Sequence, residues 1–209
     1  MERTPKERLY WLLRLYKDKE IQAETFCDEF HMTYHYELND AELTETERVL
    51  FREIAAVAAR FSPFEEDHQK YPGVYFTTED VEGVVMKKAL IDILLDPYST
   101  EAEKDDAAIV LGEHFEDEET IAVLLKVSNQ DGIGEMVAAS CGESLAYIWL
   151  RKSDINYDQL LLLKDAALCE ALSLIKAHRY DWFTEYERRL FCGREFENSD
   201  VQKGRKKDR

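Results

Sequence analysis

The chain has few of the residues that make tight turns. Eight glycines and four prolines are spread thinly over 209 residues. Sandwiches and barrels need many such turns, so their scarcity disfavours an all-β fold. No apolar run is long enough to span a bilayer, and no signal-peptide pattern is present. We therefore expect a globular helical protein that does not bind membranes.

Cysteines are also few, and none forms a C-x-x-C pair. Their positions are Cys27, Cys141, Cys169 and Cys192. In a chain long enough to bury its own core, this pattern favours free thiols in a reducing compartment over a disulfide framework. The sequence therefore predicts a cytoplasmic protein.

One group of possible metal ligands stands out. Cys27, His31 and His35 recur at intervals of four residues and would lie along one helix face, a spacing that can hold Zn²⁺ or Ni²⁺. Three ligands from one helix seldom complete a tetrahedron without an outside fourth. Phe26 and Phe30 are interleaved with them and favour a core face instead. We expect no metal and no cofactor.

Motifs of catalysis are missing as well. The chain has no G-x-S-x-G, no P-loop, no G-x-G-x-x-G and no H-E-x-x-H. Cys141 lies inside a predicted helix, with no cation or helix start near it in sequence to lower its pKa. Gly142 and its small neighbours predict a close helix–helix contact there. The sequence therefore favours a protein that is not an enzyme, although paired catalytic carboxylates cannot be picked out among so many acids.

Basic residues are scarce relative to acidic ones. The chain carries 44 Asp and Glu against 27 Lys and Arg, a net charge of −17. The excess lies in two blocks: residues 18–68 hold 14 acids and 4 bases, and residues 79–131 hold 15 acids and 4 bases. Such a field repels nucleic acid and anionic membranes and attracts a basic protein. An acidic surface that serves only solubility is the alternative.

Capping patterns predict a series of helices. Thr4-x-x-Glu7, Thr44-x-x-Glu47 and Thr100-x-x-Glu103 each form the sequence of a capping box, and Asn156 is predicted to open a long helix that reaches Ile175. Asp96-Pro97 is the clearest break. We expect an all-α protein with a four-helix bundle over 1–96 packed on two helical hairpins over 97–192. The basic tail, 193–209, is expected to be disordered.

The longest non-periodic segment, 64–78, combines acids with aromatics. Glu65, Glu66 and Asp67 precede Tyr71 and Tyr75. Aromatic anchors ringed by charges are how tight protein interfaces are commonly built. The alternative is that Tyr75 and its neighbour Phe76 simply fill the bundle core.

The order and character of the first segments resemble a known family. They are Leu9–Tyr16, Ile21–Phe26 with Phe30 one turn later, the Glu47–Phe61 helix, the acidic loop and Ala89–Leu95. Residues 8–95 thereby resemble the colicin D-type bacterial immunity proteins. The second half resembles HEAT-like hairpins in its runs Asp106–Gly112 and Glu143–Ala146. Longer immunity proteins of contact-dependent growth inhibition systems would fit both halves.

The resemblance implies an antidote that binds the nuclease domain of a cognate toxin, expected to be a tRNA-cleaving ribonuclease, and blocks its active site. Carboxylates would there replace the phosphates of the substrate. The expected partner-binding residues are Glu65, Glu66, Asp67, Tyr71 and Tyr75, with Asp105, Asp106, Glu113, Glu116 and Asp117 as a second set. We expect a monomer when free. A HEAT-like adaptor or chaperone-type protein-binding module is the alternative.

Overall fold

The computed structural model describes residues 3–190, and over that range the protein is all-α, as predicted. The described residues contain no β-strand. Their only β-type pairing is an isolated parallel bridge between Phe61 and Phe76. Contacts divide the chain into two compact units, Met1–Ala89 and Leu90–Arg209. The division falls inside a helix, whereas the sequence predicted it after residue 96.

The first unit is built from four helices and the start of a fifth. They are α1 (Pro5–Lys17), α2 (Ala23–Met32), α3 (Glu45–Ala58), α4 (Glu65–Lys70) and the first part of α5 (Thr78–Leu95), with a π-helical turn at Thr33–Glu37 and a 3₁₀ turn at Asp40–Glu42. Both predicted capping boxes form: the hydroxyls of Thr4 and Thr44 accept hydrogen bonds from the third residue of their helices.

The core of the first unit is aromatic. Phe26, Phe30 and Phe51 are fully buried, and the ring of Tyr16 stacks on Phe26 with centroids 4.4 Å apart. Val85 of α5 packs into the same cluster. Phe26 and Phe30, which directly precede Cys27 and His31 in sequence, therefore belong to the core.

The second unit contains the end of α5 and the remaining helices. They are α6 (Glu101–His114), α7 (Glu118–Ser128), α8 (Glu135–Lys152), α9 (Tyr157–Leu160), α10 (Asp165–His178) and α11, which spans residues 180–190 up to the end of the described range. The capping box at Thr100 forms as predicted.

Helix α8 is the centre of the second unit. Helices α6, α7 and α10 all pack against it, whereas α6 and α7 contact each other much less. Leu145, Ile148 and Trp149 of α8 are buried in this core. The HEAT-like pairing of these helices stays a prediction.

The long helix predicted from Asn156 to Ile175 is wrong. Asn156 does cap a helix, since its side chain accepts hydrogen bonds from two backbone N–H groups, but α9 ends at Leu160. The chain then turns, and α10 begins afresh at Asp165. The break directs α10 along α8, where the backbone of Ala167 occupies the space that a Cβ on Gly142 would need. The close helix contact predicted at Gly142 is thereby confirmed.

Two further helices depart from the sequence prediction. The acidic segment predicted as non-periodic contains α4, a short helix with three acids in its first turn, where they favour the helix dipole. Helix α11 was also not predicted. The predicted disordered tail, 193–209, lies outside the described residues.

Candidate protein-binding surfaces

The first candidate surface is a loop whose two ends are joined. The N–H of Phe76 donates to the carbonyl of Arg60 at 2.8 Å, and the N–H of Ser62 donates to the carbonyl of Phe76 at 3.1 Å. These bonds close residues 62–76, called here the acidic loop, between α3 and α5. The guanidinium of Arg60 also lies over the ring of Phe76, 4.3 Å from its centroid. A closed base of this kind fixes where the loop leaves the body.

Side chains inside the acidic loop hold its first turn in place. The Oγ of Ser62 donates to a carboxylate oxygen of Asp67 at 2.6 Å and accepts from the N–H of Phe64 at 3.2 Å. The Nε2 of His68 is 2.9 Å from the carbonyl oxygen of Ser62. Asp67, predicted as a partner-binding residue, is therefore engaged within the loop.

The exposed side chains of the acidic loop, called here its outer face, include both carboxylates and apolar groups. Phe64 is 65% exposed, Val74 47% and Tyr71 45%. Glu65 and Glu66 are exposed in the same loop. Within the described residues neither glutamate forms an ion pair, and Glu65 accepts only a hydrogen bond from Gln69. The loop thus displays negative charge together with exposed apolar surface, whose burial by a partner would be favourable.

Tyr75 is less exposed than these side chains. It is half-buried, and its ring contacts Tyr71 edge to face at 6.2 Å. Phe76 is also half-buried and packs against the core of the first unit. Phe76 therefore fills the core, as the alternative interpretation expected. Tyr75 instead packs its ring against that of Tyr71. Phe64 and Val74 are not among the residues predicted from the sequence, although each is an apolar residue beside turn residues.

The second candidate surface is α6 with the turn that follows it. Residues 101–119 contain nine acids and one lysine. Three of the five predicted carboxylates are engaged within the fold: Asp105 accepts from Ser140 Oγ, Glu116 pairs with Arg151 at 3.2 Å, and Asp117 caps α7. Asp106 and Glu113 remain exposed on α6.

The cations nearest this turn are also engaged. The guanidinium of Arg151 donates to the backbone carbonyls of Gly112, Glu113 and Phe115, and Lys152 donates to the carbonyl of Glu116. They therefore satisfy the open carbonyls at the end of α6 as well as countering charge. The excess of negative charge over residues 101–119 is therefore only partly neutralised by these cations.

An open groove lies in the second unit beside this surface. It has a volume of about 770 Å³ and is formed by α6, α8 and the end of α10. Glu113, the only predicted site residue in its lining, is joined there by Ile109, Glu143 and Tyr147. These residues come from separate stretches of sequence, so no local motif signals the groove.

The two buried thiols, Cys27 and Cys141, are poor nucleophiles. Burial raises the pKa of Cys27 to about 12, with the charge of Asp28 adding to the effect. Burial likewise raises the pKa of Cys141 to about 12, with the charge of Asp105 adding to it. Both thiols are therefore protonated at neutral pH.

The possible metal group does not assemble. The rings of His31 and His35 lie 4.5 Å apart, while the side chain of Cys27 is buried in the core. Among residues 3–190, no three His, Cys, Asp or Glu side chains are grouped so that they could hold a metal ion.

Among the described residues, no helix combines the length and apolar character needed to cross a bilayer. Comparison with protein-family models, with curated proteins and with solved structures gives no match for this chain.

Proposed function

We propose that this chain is an immunity protein that binds the nuclease domain of a cognate bacterial toxin and blocks its active site. A tRNA-cleaving ribonuclease is the expected target. The observation that carries the proposal is the outer face of the acidic loop. Within residues 3–190, Glu65 and Glu66 form no ion pair, and both are exposed in the same loop as Phe64, Tyr71 and Val74.

The chemistry of a ribonuclease complements this face. Such an enzyme holds phosphates with cationic side chains, and unpaired carboxylates can occupy the same positions. Charge of opposite sign raises association rates toward ~10⁸–10⁹ M⁻¹s⁻¹ at low salt. The aromatic and aliphatic side chains supply the apolar contact that slows dissociation.

The acidic loop is also ordered in advance of binding. The bridge between Phe61 and Phe76 and the bond from Ser62 to Asp67 fix its base and first turn. A loop held in this way loses less conformational entropy when a partner covers it. This favours specific binding to one partner over the loose, many-partner binding of an adaptor or chaperone-type module.

The proposal predicts that a neighbouring gene encodes the cognate toxin, and the test combines the purified chain with the nuclease domain of that gene's product. We expect a one-to-one complex and loss of tRNA cleavage when the chain is added in equimolar amount. Glu65→Lys with Glu66→Lys should weaken binding by about 100-fold, mainly through slower association that depends on salt. Far-UV circular dichroism should be unchanged.

A control with the same change in net charge is available on α2. Glu24 and Asp28 are exposed there, away from the acidic loop in sequence. Glu24→Lys with Asp28→Lys should alter affinity by less than about fivefold, as expected for a general charge effect. Failure of the two purified proteins to associate at low salt would overturn the proposal. Equal losses of affinity in both double variants would indicate that the interface does not include the acidic loop.

A further inference from the structure

The groove of the second unit has charged and apolar walls. Its volume of about 770 Å³ exceeds that of a single side chain. Ile109 and Leu150 give it aliphatic surface, and Tyr147, 44% exposed, presents an aromatic ring. Ser144, itself buried, lines the groove but already donates its hydroxyl to the carbonyl of Ala108. The features left to meet a ligand are therefore the apolar walls and the charges.

The charges of the groove are unevenly engaged. Arg179 forms two bonds to the carboxylate of Asp181, at 2.9 and 2.7 Å, and its guanidinium lies over the ring of Trp182. Arg151 is held by Glu116 and by the carbonyls at the end of α6. Both arginines of the lining thus have their partners within the fold.

The two glutamates of the lining, unlike its two arginines, have no charged partner among the described residues. Glu113 of α6 and Glu143 of α8 both line the groove, and neither forms an ion pair within the part of the chain that the structure describes. Unengaged carboxylates beside an aromatic ring and aliphatic walls complement a side chain with a cationic head and an apolar stem. An anionic ligand would instead meet these two carboxylates, with both arginines occupied and His178 as the remaining basic side chain of the lining.

We propose that this groove receives an arginine side chain of a basic protein partner. The carboxylates of Glu113 and Glu143 hold the guanidinium, whose five N–H donors can serve two acceptors at once, and the ring of Tyr147 offers its face to the planar cation. The methylene stem then covers Ile109 and Leu150. The identity of the partner as a toxin nuclease rests on the proposed function; the recognition of an arginine does not.

The groove can be tested without the partner. The full chain, labelled at isoleucine and leucine methyl groups, is titrated with N-acetyl-arginine methylamide and followed by NMR. The neutral isostere N-acetyl-citrulline methylamide is the control ligand. We expect saturable shifts of the Ile109 and Leu150 methyl signals in the millimolar range with the arginine amide, and much smaller shifts with the citrulline amide.

Variants assign the binding to the two carboxylates. Glu113→Gln and Glu143→Gln should each weaken binding of the arginine amide by about tenfold. Glu170→Gln is the matched control, since Glu170 is exposed on α10 and does not line the groove. The same two groove variants should weaken inhibition of the nuclease, while the Glu65→Lys with Glu66→Lys variant should bind the arginine amide normally.

The possible outcomes separate the two proposals. If the chain inhibits the nuclease but the arginine and citrulline amides give equal shifts, the groove proposal is overturned and the proposed function stands. If the arginine amide binds as expected but no complex with the nuclease forms, the proposed function fails and the arginine site is supported. Stronger arginine-amide binding after removal of residues 203–209 would assign the groove to the chain's own basic end, against the proposal.

Discussion

The hydroxyl of Ser144 donates a hydrogen bond to the carbonyl oxygen of Ala108 at 3.0 Å, which joins α8 to α6 inside the core of the second unit. The two backbones come close at the same place. A Cβ added at Gly112 would lie 2.8 Å from the Cα of Ser144, and nearer still to its side chain. Glycine is required there by proximity to α8 and not by backbone conformation.

Replacement of Gly112 by alanine should therefore destabilise the protein, because the backbone of α8 cannot move aside without loss of packing. We expect a loss of about 2–3 kcal/mol in the free energy of unfolding, measured by urea denaturation. Gly83→Ala is the control: nothing lies within 4 Å of its added Cβ in α5, so it should stabilise the protein by about 0.5–1 kcal/mol. Equal effects of the two substitutions would contradict the close contact.

The ion pair between Lys88 and Glu53 should be sensitive to loss of one partner. Lys88 of α5 is only 4% exposed, whereas the Glu53 side chain of α3 is 42% exposed. Glu53→Gln removes the carboxylate that faces the buried ammonium, and we expect a loss of about 1–2 kcal/mol, moderated by solvent at Glu53. The double variant Glu53→Gln with Lys88→Met should recover most of the free energy of unfolding that Glu53→Gln loses. A double-mutant cycle measured by urea denaturation checks this, and additive losses would speak against coupling.

The pH dependence of stability should have a component from Glu47. Burial alone would raise the pKa of Glu47, but hydrogen bonds from Lys6, from Thr44 and from Tyr10 outweigh it and lower the pKa to about 2 from 4.5. A lowered folded-state pKa contributes stability that is present above pH ~5 and is lost as the pH falls toward ~2.

Over that interval the wild type should lose about 1–2 kcal/mol more than Glu47→Gln, as judged by thermal unfolding at a series of pH values. Glu20→Gln removes an exposed carboxylate instead and should follow the wild-type curve. Parallel curves for wild type and Glu47→Gln would show that the hydrogen bonds around Glu47 do not favour its charged form.

Thiol reactivity should follow burial. Cys169 is exposed, whereas Cys27 and Cys141 are buried. In a Cys192→Ser background, we expect one thiol to react rapidly with a disulfide reagent at pH 8 and two more to react after unfolding in guanidinium. Rapid reaction of a second thiol in the native protein would indicate that a core cysteine is accessible.

Helix starts could be predicted because their chemistry is local. The boxes at Thr4, Thr44 and Thr100 need only two side chains three residues apart, and all three form. Asn156 also caps a helix as predicted, but that helix ends at Leu160, and Ala167 of the next helix then meets Gly142, a distant part of the chain. Sequence periodicity carries no information about such a contact.

The candidate site could also be predicted only where its features are local in sequence. Glu65, Glu66 and Tyr71 are exposed together, as their proximity in sequence suggested. The engagement of Asp105 by Ser140 and of Glu116 by Arg151 could not be foreseen, since each partner comes from α8. The groove could not be predicted for the same reason, because Glu143 comes close to Glu113 only when α8 packs on α6.

The pairing of Phe61 with Phe76 has a consequence for how recognition can diversify. Because the ends of the intervening segment are pinned at neighbouring backbone positions, residues 64–75 can change in length or composition while α3 and α5 keep their places. Under the proposed function, changes confined to this insert would alter which partner is bound while the helices that carry it stay the same.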